Sequence, residues 1–186
     1  MAPSELRLQS MLRAMIEVIQ PAIDRSQQLA IDQANIMIGT LRMLLDQNNK
    51  AYEFRMVELR QYAKLVRKLL ELAQGGPETH ASCRAAKGVL ARAEPIAALP
   101  IPTQAALTDL VRAMRTTADE LLQAAHADGN PAFRRAAARL VLDAGGQELV
   151  RERVWVRAAG FEADPRALPS MEESLSLDKT NEHQPG

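Results

Sequence analysis

Between residues 52 and 73, apolar side chains step by four and three without a break: Tyr52, Met56, Leu59, Ala63, Val66, Leu70 and Ala73. A segment with this spacing can bury one edge only by winding into an α-helix and packing that edge against other helices. A strand would scatter the same residues over both faces of a sheet. Gly75-Gly76-Pro77 then stops the helix, because glycine favours the helix end and proline cannot continue it.

The rest of the chain repeats this logic. Leu8, Met11, Leu12, Met15, Ile16 and Ile19 follow Ser4 and Glu5, a cap with an acid in the first turn, and Pro21 ends or breaks that helix. A second helix opens near Asp24 or Ser26 and runs to about Asp46. Two neighbouring stripes recur along it every seven residues, Ile23, Ala30, Met37, Leu44 and Ile31, Ile38, Leu45, with Ala34 and Leu41 between them. Asp46-Gln-Asn-Asn is a short polar turn, so the third helix should return antiparallel beside the second.

Residues 82–93 spell a short helix, and Glu94–Pro102, with three prolines, reads as an extended apolar strap. Thr103 is placed to cap a helix whose buried series is Leu107, Val111, Met114, Ala118, Leu121 and Ala125. Asn130 and Pro131 supply the cap and first residue of a last long helix through Phe133, Ala137, Leu140 and Ala144, which Gly145-Gly146 should break or kink. Residues 149–159 either continue it as a separate helix or turn extended around Val154-Trp155-Val156. We therefore expect an all-α chain: an up-and-down bundle of about five helices as a single domain over residues 1–160, then a flexible acidic tail over 161–186.

Composition agrees with this class. Apolar residues reach 47% while aromatics are 3%, so strong helix formers supply the oil. Twenty-three basic and 23 acidic side chains cancel, and no global field recruits nucleic acid. The basic runs Arg60, Lys64, Arg67, Lys68 and Arg134, Arg135, Arg139 lack the aromatics that stack bases, so they read as solvated helix faces. Cys83 is alone, which excludes a disulfide scaffold and points to the reducing cytoplasm. The N-terminus lacks a signal-peptide pattern and no apolar run is long enough to span a bilayer.

Chemistry-bearing motifs are absent. None of His80, His126 and His183 stands in Glu-x-x-His, and the helix seams carry no acid, so no metal is expected. His80 and Cys83 are not placed by their spacing to act as base and nucleophile. The glycine pairs do not follow strands, so no phosphate loop or other cofactor site is expected, and no catalytic residue is assigned. One feature stands apart: the narrow polar side of the second helix, Gln28, Asp32, Asn35, Gly39, Arg42 and Asp46. Asp32, Asn35 and Arg42 are its ligand or interface candidates, and Gly39 would let another helix or chain approach closely. The expectation is a non-catalytic protein working through helix–helix contact, either with itself as a homodimer or as the accessory subunit of a larger enzyme. The alternative is a small-molecule-binding bundle whose pocket includes those three residues.

Overall fold

The computed structural model describes residues 3–97 and 102–176, and among these every regular element is helical. The helices are α1 (Pro3–Ala14), α2 (Gln20–Ala22), α3 (Gln28–Gln47), α4 (Ala51–Leu72), α5 (Pro77–Ala97), α6 (Gln104–Ala127), α7 (Pro131–Val156) and α8 (Met171–Ser176). A π-turn (Met15–Ile19) joins α1 to α2, and a 3-10 turn (Arg157–Ala159) follows α7. The chain divides into two compact units, where one bundle was expected over 1–160. The first holds the described residues up to Ala51 together with Val150–Ser174, and the second holds Tyr52–Leu149 with the described residues from Leu175. Among the described residues the helices also exceed the expected five, the short α2 and α8 being the ones that the apolar periodicity does not announce.

In the first unit α1 and the π-turn pack on α3 through Met15, Ala34, Ile38 and Leu41, with Leu8, Leu12 and Ile23 alongside. Pro21 does not cut α1 off sharply. Its missing N–H and bulky ring cannot fit the regular i→i−4 ladder, and the turn just before it widens into the π-turn. The helix then ends at Ala22, and Asp24 accepts from the Ser26 N–H at 2.8 Å to form the corner into α3. Gly39 does admit a close approach, made by the 3-10 turn after α7 and not by another long helix or chain: a Cβ there would lie 2.8 Å from the Ala159 carbonyl oxygen, so only glycine lets this backbone come so near α3. Gln47 donates to the Trp155 carbonyl at 2.8 Å in the same unit.

In the second unit α4, α5, α6 and α7 surround one apolar core, with Leu65, Val66 and Leu69 facing Leu107, Met114, Leu121 and Phe133. Every residue of the expected α6 series is buried, and Thr103 caps α6 by accepting from the Ala106 N–H. Asn130 caps α7 in the same way, its side chain accepting from the Phe133 N–H at 2.7 Å.

Three expectations need correction. First, α5 begins at Pro77 and passes through Pro95 to Ala97, instead of spanning 82–93 before an extended strap. The early start comes from Asp128 at the end of α6, which accepts from the Glu78 and Thr79 N–H groups at 2.7 and 2.9 Å and from the Thr79 hydroxyl at 2.6 Å. Pro95 sits in the last turn, where only one ladder bond is lost before the helix stops. Residues 98–101 of the expected strap lie outside the described residues. Second, α7 runs unbroken through Gly145-Gly146 to Val156, so the Val154-Trp155-Val156 run is helical. Third, the segment expected to be a flexible tail carries α8 at 171–176, with Met171, Ser174 and Leu175 buried. Its start is a reciprocal capping box, Ser170 accepting from the Glu173 N–H and Glu173 accepting from the Ser170 N–H. Residues 177–186 lie outside the described residues.

Two predictions arise here. A Cβ at Gly145 or Gly146 would meet no atom within 4 Å, so neither glycine is needed for packing inside the chain. Gly145→Ala and Gly146→Ala should each stabilise by about 1 kcal/mol, read from the urea midpoint. For Asp128, the Thr79 hydroxyl and then the N–H groups of Thr79, Glu78 and Gly76 hold the carboxyl below its ordinary value of 3.8. A depressed carboxyl adds stability above its unfolded-state value and loses it as the pH falls through the folded one. Asp128→Asn should therefore melt several degrees below the wild type at neutral pH, and the gap should close as the pH drops below the ordinary carboxylate range. A gap that is constant between pH 7 and pH 2 would contradict this.

Candidate functional site

The polar side of α3 lies in water. Asp32, Asn35 and Arg42 are all exposed. Asp32 accepts from the Gln28 amide at 2.9 Å within the same helix, and Asn35 accepts from the Gln20 amide at 2.7 Å across to α2. Of the expected polar stripe only Gly39 is buried, under the Ala159 backbone.

The concentrated polar chemistry lies instead inside the second unit, on the inner sides of α4, α6 and α7. Glu58 is fully buried. Its carboxylate accepts from Arg55 one turn earlier at 2.5 Å and from Arg115 of α6 at 2.8 Å. Arg115 also pairs with Glu148 of α7, and it lies over the Tyr62 ring at 5.2 Å from the centroid. The Tyr62 hydroxyl donates to Glu148 at 2.6 Å. Beside them Gln61 donates to the Ala144 carbonyl at 3.1 Å and to the Gln147 side chain at 3.2 Å.

A carboxylate removed from water is costly unless paired, and Glu58 has two guanidinium partners that meet the cost. Arg115 stands between Glu58 and Glu148, the place a cation would take if these two carboxylates were to bind one. Burial, then the Glu148 hydrogen bond, pushes the Tyr62 hydroxyl well above its ordinary range, so it stays a proton donor at neutral pH. The cluster thus ties α4, α6 and α7 together through charge-assisted hydrogen bonds.

The cluster lies off the α4 seam that runs from Tyr52 to Ala73, on a different stripe of the same helix. A second stripe, Phe54, Glu58, Gln61, Leu65 and Leu69, steps by the same fours and threes and is buried throughout. Apolar residues at both ends of that run are the signal that Glu58 and Gln61 point inward.

Cys83 is half-buried against the core of the second unit, and burial raises its thiol above the ordinary value. A thiol held protonated is a weak nucleophile. Among the described residues no helix is long and apolar enough to cross a membrane. No family model, curated protein sequence or solved structure matches the chain.

Proposed function

We propose that this protein acts without catalysis, through helix–helix association made by the α3 face of its first unit. One observation carries this reading. Leu29, Ile36, Met37 and Leu44 recur along α3 at 74%, 50%, 52% and 41% exposure, an apolar stripe outside the Ala34, Ile38 and Leu41 face that packs on α1. Scattered exposed leucines are ordinary, but a stripe with heptad spacing on one helix is the usual mark of a surface that meets another helix. The exposure of Asp32, Asn35 and Arg42 lends no support to a ligand pocket there.

We take α4–α7 as an up-and-down bundle. The short connections at 73–76 and 128–130 support this, as they lie side by side with Gly76 donating to the Asp128 carbonyl and Asn130 to the Gln74 carbonyl.

The reading is tested in living cells with a photo-reactive phenylalanine analogue at position 36 and, as control, at the exposed Arg112. Covalent protein adducts are expected at 36, whether with a second copy or with another protein, and not at 112. An absence of adducts at 36 overturns the reading.

A further inference from the structure

Resting on that reading, we infer that the occupant of the α3 face is a second copy of this chain, laid antiparallel about a two-fold axis between Ile36 and Met37. The stripe is its own reverse. About that midpoint Leu29 falls opposite Leu44, Gln33 opposite Thr40, and Ile36 opposite Met37. A C2 contact needs this property, since the same patch must satisfy itself with its direction reversed.

Charge agrees with the arrangement. The side chains along the stripe, Leu29, Gln33, Ile36, Met37, Thr40, Leu44 and Gln47, include no ionised group. A charge near the axis would stand against its own copy, and none is present. The antiparallel direction also sets the positive end of one helix dipole beside the negative end of the other, where a parallel pair would align like ends.

The available surface is of the right order. From Leu29 to Leu44 the contact is about 22 Å long at 1.5 Å per residue. By helical angle Met11 of α1 and Val18 of the π-turn, 55% and 65% exposed, flank the Met37–Leu44 edge. They lie opposite the seam closed by the Gln20–Asn35 hydrogen bond. A contact of this length belongs to the small end of specific interfaces, so the dimer should be dynamic and sensitive to concentration.

The test uses the purified full chain. Light scattering at tens of micromolar should give twice the 20.5 kDa chain mass, and Met37→Glu should return it to one chain mass with unchanged circular dichroism. Register is read in a Cys83→Ser background with a short bis-maleimide. A mixture of Leu29→Cys and Leu44→Cys proteins should cross-link, whereas Leu29→Cys alone should not, because its two copies would stand about 22 Å apart. A wild-type monomer overturns the inference. So does a Leu29→Cys self-cross-link, or a dimer in which neither combination reacts. A monomer whose position 36 still captures a different protein in cells removes the second copy and leaves the association reading standing.

Discussion

Replacing Arg115 by leucine is expected to cost about 3 kcal/mol of stability, with most of it returned when Glu58 is also made leucine. The single change leaves the fully buried Glu58 carboxylate with Arg55 alone, and Arg55 is itself partly in solvent. It also leaves Glu148 with the Tyr62 hydroxyl as its partner in the cluster. Glu148 can tolerate this because its side chain is 22% exposed, whereas Glu58 has no route to water. The Glu58→Leu/Arg115→Leu protein removes the buried carboxylate together with its partly exposed partner and puts apolar volume in their place. Urea titrations of the two singles and the double complete a mutant cycle, and a coupling below about 0.5 kcal/mol would mean that the pair does not act as a unit. If the cluster fixes which helices meet, the double variant should keep its stability and lose sharpness in its amide NMR spectrum.

Gly75→Val carries the second large effect. A Cβ at Gly75 would fall 2.5 Å from the Thr79 hydroxyl oxygen, 2.8 Å from the Asp128 carbonyl oxygen and 2.8 Å from the Gly129 Cα. The last two are backbone atoms of the crossing connection, held by the Gly76–Asp128 and Asn130–Gln74 hydrogen bonds, so they cannot swing aside as a flexible side chain would. Forcing them apart also pulls Asp128 from the first turn of α5. Overpacking at such a site costs about 3 kcal/mol, the upper part of the usual range. The check is a thermal melt of Gly75→Val beside Gly88→Val, since a Cβ at Gly88 meets no atom within 4 Å. Equal melting temperatures for the two would show that the crossing yields.

These predictions concern contacts that local pattern does not encode. Asp128 caps α5 from 50 residues away, so the sequence around Ser82 could show where an apolar face begins but not where the helix starts. Likewise Gly145-Gly146 invited a break, yet α7 continues. The penalty of about 1 kcal/mol per glycine is smaller than the packing supplied by Phe133, Ala137 and Leu140 on one side of the pair and by the buried Val154 on the other. The capping box at Ser170–Glu173 was legible and lay in a segment whose composition suggested no structure.

From its letters alone, the chain was committed to helices. The three- and four-residue recurrence of leucine, methionine and alanine leaves a rod with one greasy side as the only conformation that hides them. It also named the caps Thr103 and Asn130, the α6 core from Leu107 to Ala125, and the close approach at Gly39, because each of these depends on neighbours within a turn or two or on the lack of a side chain. Tertiary structure alone decided which stripes of α3 and α4 meet protein and which meet water. Both helices carry more than one apolar stripe, and periodicity ranks none of them. Only the placement of the neighbouring helices could bury Glu58 and leave Leu29, Ile36, Met37 and Leu44 outside.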